Sequence, residues 1–427
     1  MIQKLFDFIE KSPTSYHAVS TVAKTLEAAG FKRLEESAEW NVAPGGAYFV
    51  TRNLSSVIAF RIPEDDPAGF MIAAAHSDSP AFKIKENAEI KDKNFARLST
   101  EKYGGMLMST WFDRPLTVAG RIAVKTSDGI ECRLVDLHRP FCVIPSVSIH
   151  FNRNANDSAS FNPAVDTVPL AGIGSEVDVV RAAAEAANVD PADVISCDLF
   201  LCNPERGVEY GGAISAPRLD DLECAFSVTE AIISSRPSGA IAVGAIFDNE
   251  EVGSMTKQGA ASTFLRDTLE RIARALGKED SLCAMLSSSL MASCDNAQGV
   301  HPNHPELYDK TNSVMMNGGV VIKYNANQRY ATDAVSSALF RVVCAEAGVP
   351  VQSYSNRSDL PGGSTLGAIA TSAVSVNTVD VGLAQIAMHS SYETAGADDL
   401  GYMVKALCTL FSSRVECVRD GKYRIGK

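Results

Sequence analysis

Short apolar runs without polar alternation, interspersed with helix-length amphipathic segments, constrain this chain more than any other feature. FMIAAA at 70–75 and AIAVGAIF at 240–247 are the clearest of these runs. A strand with one solvated face alternates, whereas a strand buried on both faces does not. SLMASC (289–294), GVVIKY (319–324) and SAVSVNTVDVG (372–382) read as further strands. Among them lie helical segments: one after RLDD from about Leu222 to Ser235, ASTFLRDTLERIARALG stopped by Gly277, DAVSSALFRVVCAEAG, and a last one from about Asp398 to Val415. Strands alternating with helices imply an α/β fold with a mainly parallel central sheet flanked by helices.

This pattern is interrupted. Two helices (Ile2 to Glu10, then one ending at Gly30) and strands near GAYFVTRN and SSVIAFRI lead into FMIAAA. Near residue 85 the composition changes to the charged KIKENAEIKDKN. TVAGRIAVKTSDGIECRLVDLH then reads as a hairpin around SDG. HFNRNANDSASFNPAVDT reads as a long polar loop, SEVDVVRAAAEAANVD as a helix and DVISCDLFLC as a strand. The chain therefore divides into a first part of an α/β domain (1–85), an inserted β-rich unit (86–205) and the second part of the same domain (206–427).

Charge and cysteine usage remove whole classes of function. With 39 Lys and Arg against 51 Asp and Glu, the net charge is −12, which disfavours nucleic acid or an anionic membrane as partner. No apolar run reaches 18 residues, so no membrane-spanning helix is expected, and the charged N-terminus does not read as a secretory signal. Ten cysteines without a C-x-x-C pair read as buried thiols of a reduced, cytoplasmic protein.

The polar clusters directly after apolar runs are where chemistry is expected, because open α/β sheets bind ligands beyond the carboxyl ends of their strands. His76-Ser77-Asp78 follows FMIAAA, and Asp248-Asn249-Glu250-Glu251 follows AIAVGAIF. Asp295 follows SLMASC, His389 lies in a loop after the strand ending at Asp380, and Asp220 precedes a helix. Each has an ordinary reading: a solvated turn for His76 or the Glu pair, a helix N-cap for Asp220. Together, two histidines and several carboxylates at the ends of one sheet match a two-metal site, in which a bridging carboxylate joins two ions. G-x-x-x-x-G-K-[ST], G-x-S-x-G and H-E-x-x-H are absent, which turns the reading away from phosphate-binding loops, serine hydrolases and helix-borne single-zinc peptidases.

HSDSP, APRLDDL, FDNEEVGS, SCDNAQGVHPN and MHSSYE occur in the order and at the spacing of the aspartyl aminopeptidase family. YGGMLMSTWFDRPLTVAGR, IPSVSIHFNR, VVIKYNANQRYATDAV and NRSDLPGGSTLG extend this resemblance over nearly the whole chain. It implies a cytosolic di-zinc exopeptidase acting on peptides with a free N-terminus. It also implies that the inserted unit is a dimerisation domain, and that dimers build a homododecamer. Residue by residue, Asp220 matches the bridging carboxylate, His76 and Asp295 the remaining ligands of one zinc, and Glu251 and His389 those of the other. Co2+ or Mn2+ could occupy the same donors. Glu250 matches the general base and Asp78 the carboxylate behind His76. His150 matches a residue that reaches a neighbouring subunit's site to stabilise an oxyanion. Lys323 and Tyr330 match pocket residues for an acidic N-terminal side chain, although a lysine among metal-binding carboxylates is also read as a counter-ion; His301 has a supporting role. Three positions depart from the family pattern: Asp221 stands in place of Asn, Pro115 in place of an acidic residue, and Ser77 in place of Thr. None removes a ligand or the base.

Overall fold

The computed structural model describes residues 1–426. Among the described residues, the main sheet has nine strands. In spatial order they are Lys32–Leu34, Ala47–Arg52, Ser56–Arg61, Ile241–Phe247, Phe70–His76, Leu290–Cys294, Asn377–Gly382, Val320–Tyr324 and Val351–Ser355. The four strands from Ile241–Phe247 to Asn377–Gly382 are mutually parallel. The pairings of Ala47–Arg52 with Ser56–Arg61, of Ser56–Arg61 with Ile241–Phe247, and of Val320–Tyr324 with Asn377–Gly382 are antiparallel. The mainly parallel sheet expected from the sequence is thus corrected to a mixed one with a parallel centre. The reason is local at one edge. Asn53 and Leu54 both adopt positive φ in a tight hairpin, and a hairpin can only return antiparallel.

The parallel centre explains the apolar runs. In Phe70–His76, Met71, Ala73 and Ala75 pack into the core on one face, while Phe70, Ile72 and Ala74 pack into the core on the other. Helices Ser15–Ala28, Leu219–Ser234, Ala334–Ala347 and Asp399–Phe411 cover the first face. Phe264–Ala275 and Leu366–Ala373 cover the second. Parallel strands bring their carboxyl ends to one edge, so the segments following Phe247, His76's strand and Cys294 meet there.

A second sheet, six-stranded and antiparallel among the described residues, runs Ile130–Asp136, Thr117–Lys125, Val194–Cys202, Ala81–Asp92, Phe95–Tyr103, Leu170–Ile173. It has its own core around Phe82, Leu98, Trp111 and Leu199. The hairpin read around SDG is present. Helix Val179–Ala186 is shorter than its sequence pattern and is capped by Asp178, which accepts from the Arg181 amide at 2.8 Å. Residues 145–168 hold no helix or strand.

Several features lay outside the sequence reading, among them helices Leu282–Ser287 and Leu366–Ala373, the second of which takes the first two residues of the 372–382 run read as strand. The last helix stops at Phe411, and Arg414–Arg419 pairs with Lys422–Gly426 in a terminal hairpin; buried Val415 continued the helical periodicity by coincidence. A small sheet of very short strands joins Val208–Tyr210, Ala213–Ala216, Glu393–Gly396, Ala384–Ile386 and Ala297–Gln298, too short to carry a periodic signal.

Candidate metal centre

His76 ends its strand fully buried. Its Nδ1 faces the Asp78 carbonyl at 3.1 Å. A carbonyl can only accept, so Nδ1 carries the hydrogen and Nε2 presents a lone pair. Nε2 points into carboxylates: Asp220 Oδ1 at 3.5 Å, Asp295 Oδ1 at 3.8 Å and Asp221 Oδ2 at 4.0 Å. His389 repeats the arrangement. Its Nδ1 donates to the Gly105 carbonyl at 2.6 Å, and its Nε2 lies 3.5 Å from Asp220 Oδ2 and 3.4 Å from Glu251 Oε1.

Asp220 sits on the non-helical start of Leu219–Ser234, and Arg218, preceding that element, makes no side-chain cap. Its backbone amide donates to Glu393 Oε2 at 2.9 Å, and the His389 amide donates to Glu393 Oε1 at 2.7 Å. One buried carboxylate therefore fixes the backbone of two site residues. Asn249, in the left-handed region, turns the chain after Phe247 into the short turn Glu250–Val252. The buried Asp78 carboxylate accepts from the Glu250 amide at 3.1 Å and the Glu251 amide at 3.2 Å. Adjacent glutamates are thus held by their backbones, leaving both side chains free. Asp295 accepts an ion pair from Lys323 Nζ at 3.2 Å, and that ammonium lies 5.6 Å from the Tyr330 ring centroid.

Acids outnumber bases in this buried cluster, and the proton affinities reflect it. Burial, with added repulsion from Asp295, Asp78 and Asp220, pushes Glu250 up to about 8 against the opposing His76. Burial and neighbouring carboxylates push Asp221 and Glu251 far above the usual carboxylate range. Burial also acts on Asp295, but Lys323 and His76 outweigh it and hold that carboxyl well below the usual range. Burial disfavours a charged His389, yet its Asp220 and Glu251 contacts raise it to about 10.

The cluster fits divalent metal. His76 with Asp220, Asp221 and Asp295, and Asp220 with Glu251 and His389, each bring one donor atom apiece within 4.8 Å of one another; so do His76, Glu250 and Glu251. Asp220 Oδ1 and Glu251 Oε1 are buried without a hydrogen-bond partner, a costly state that a cation relieves. Imidazole nitrogen and carboxylate oxygen are donors that zinc accepts. All of these residues except Asp221 line a cavity of about 140 Å³ that also takes in Lys323, Tyr330 and Tyr354.

Eight of the eleven residues singled out in the sequence lie on this cavity's wall; Asp78 supports the wall from behind. His150 is exposed in the 145–168 loop, and His301 is half-buried with Nδ1 accepting from the Asn303 amide; neither lines the cavity. Three contributors were missed. Asp221, noted only as a departure, is buried and accepts from the His76 amide at 3.0 Å. Glu393 closes MHSSYE, and Tyr103 opens YGGMLMSTW; both motifs were visible, but nothing local marked these two members.

A family model described as aminopeptidase I zinc metalloprotease (M18) matches residues 8–411. The chain is 42% identical over 416 residues to the probable M18 family aminopeptidase 2 of Clostridium novyi (strain NT), covering 94% of this chain and 96% of that protein. A chain in the cryo-EM structure of the Ape4 and Nbr1 complex superimposes with a TM-score of 0.92 at 36% identity, covering 96% of this chain and 85% of the other. The S. cerevisiae mApe1 dodecamer gives a TM-score of 0.82 at 28% identity, covering 96% and 95%.

Proposed function

This chain belongs to the M18 family of zinc aminopeptidases, and from that premise we propose that it uses two zinc ions to release N-terminal Asp or Glu from peptides. It is a metallo-aminopeptidase, a hydrolase of the exopeptidase class. The observation that carries the two-ion reading is Asp220, whose two oxygens each face a different imidazole at 3.5 Å. His76 and Asp295 would complete one site, Glu251 and His389 the other, with Asp220 between. When bound, two such ions acidify a water and polarise the scissile carbonyl. Glu250, bound to neither, takes the proton from the attacking water on its carboxylate and returns one to the leaving amine. Asp78 keeps His76 and the Glu250–Glu251 backbone in place.

Lys323 supports the acidic preference, since its ammonium borders the same cavity and supplies a point charge for a carboxylate. Its ion pair with Asp295 favours a second reading, a counter-ion to the metal ligands in an aminopeptidase of neutral or broad specificity. Matched Asp-, Glu-, Leu- and Ala-anilides separate the two. Chelation should abolish all cleavage, and Zn2+, Co2+ or Mn2+ should restore it. Lys323→Ala should cost about 1.5–3 kcal/mol, roughly 10- to 100-fold in kcat/KM, on Asp and Glu substrates alone. Equal losses on all four substrates would leave only the counter-ion.

We further assign residues 86–205 to dimerisation and the assembly to a homododecamer in the cytoplasm. The separate core of the second sheet, the exposed Val147, Ile149 and Phe151 around His150 and the dodecameric relative support the assembly; ten free thiols support the compartment. In that assembly His150 enters a neighbour's site and stabilises the oxyanion. Sedimentation should give the mass of a dodecamer, and His150→Ala should keep that mass while lowering kcat roughly 10²–10³-fold. Unchanged turnover in that variant would confine His150 to the interface.

A further inference from the structure

Only residues 77–80 separate His76 from strand Ala81–Asp92 of the second sheet. The neighbouring strand Phe95–Tyr103 pairs Tyr103 with Ala81, so the chain comes back beside the point where it left. Tyr103 Oη donates to Asp78 Oδ2 at 2.6 Å and accepts from Asn249 Nδ2 at 2.8 Å. Asp78 holds the amides of Glu250 and Glu251, and Asn249 Oδ1 is fixed by Thr256 Oγ1 (2.8 Å) and Gln258 Nε2 (2.7 Å). Gly104 follows at φ +77°, where a Cβ would lie 3.1 Å from Glu251 Cβ. Gly105 accepts the His389 Nδ1 hydrogen at 2.6 Å, and the Leu107 amide donates to the His389 carbonyl at 3.0 Å. This one run from the second sheet therefore reaches the backbone of both glutamates through Asp78, and the ring and backbone of His389 directly.

We infer that Tyr103 and the Gly104-Gly105 turn are a positioning device by which the second sheet sets the geometry of Glu250, Glu251 and His389. The inference rests on the metal-site reading of Glu251 and His389. Tyr103 acts through Asp78 and Asn249: it fills the Asp78 oxygen that the Glu251 amide shares, and it anchors the residue whose left-handed turn launches the glutamates. Gly105 fixes the His389 tautomer, leaving Nε2 free toward Asp220 and Glu251. Glycine at 104 lets the strand end lie against the Glu251 stem. Groups behind metal ligands act through ligand orientation, and their loss commonly costs 10–100-fold in metal affinity or activity.

Tyr103→Phe in the full chain keeps the ring and deletes the hydroxyl. It should lower kcat about 10- to 100-fold with KM within twofold, weaken zinc about tenfold in competition with a chromogenic chelator, and change the visible spectrum of the Co2+ form. Gly104→Ala, which pushes directly on Glu251, should weaken zinc at least as much. A Tyr103→Phe protein with wild-type kcat, zinc affinity and Co2+ spectrum overturns the inference, as does a change confined to KM. Glu251→Gln is titrated alongside. If it binds zinc like the wild type, the metal-site reading fails first, and that result is distinct from a silent Tyr103→Phe.

Discussion

Glu250→Gln should lower kcat by roughly two to four orders of magnitude, the range for loss of a general base, while both zinc ions and the assembly are retained. The isosteric amide keeps the size of the side chain, and the backbone of residue 250 is held independently through Asp78. What disappears is the ability to take and return a proton. Metal content per subunit, measured with kcat on an Asp-anilide, checks both halves of the statement. Turnover within a few-fold of wild type would remove Glu250 from the mechanism. Loss of zinc together with turnover would make it a ligand instead.

Asp220→Ala should be more severe, because both proposed ions share that carboxylate. Zinc content should fall from two equivalents toward none, and turnover with it. Thermal unfolding gives a second readout. A ligand that binds only the native state stabilises it by RT ln(1 + [L]/Kd), about 4 kcal/mol at a thousandfold excess over Kd. The wild type should therefore show a zinc-dependent rise in midpoint that the variant lacks. If Asp220 merely capped a helix, the variant would lose stability equally with and without zinc; Asp220 has non-helical φ and ψ at the start of its element, and its Oδ1 is buried without a hydrogen-bond partner. A variant that still binds two equivalents would refute the bridging assignment.

Much of the candidate site was readable because its residues are local punctuation. His76 ends a buried strand, and Glu250, Glu251 and Asp295 each follow one within a few positions, where a costly polar group in an apolar context stands out. Asp221 and Glu393 were harder. Asp221 reads as a second acid in a turn until the fold buries it against the His76 amide. Glu393 acquires meaning only when a small sheet pairs Ala216 with Glu393 and brings Asp220 and His389 to one carboxylate. Tyr103 ends a strand of an ordinary antiparallel sheet, and its partner Asp78 is 25 residues away. No local pattern encodes such a meeting.

The fold divides along the same line. Sequence alone determined which strands are buried on both faces, since Phe70–His76 can only be all apolar if helices cover each side. It determined most helices through periodicity, the SDG hairpin through its turn, and the polar clusters at the strand ends. Tertiary structure decided strand direction, because parallel and antiparallel neighbours present the same alternation of side chains and differ only in how the chain returns. It decided the terminal hairpin, where a strand's apolar residue fell in phase with the preceding helix. It also decided that a turn of the second sheet lies against Glu251 and His389, because contacts between distant segments follow from packing of the two sheets and not from any residue's own preference.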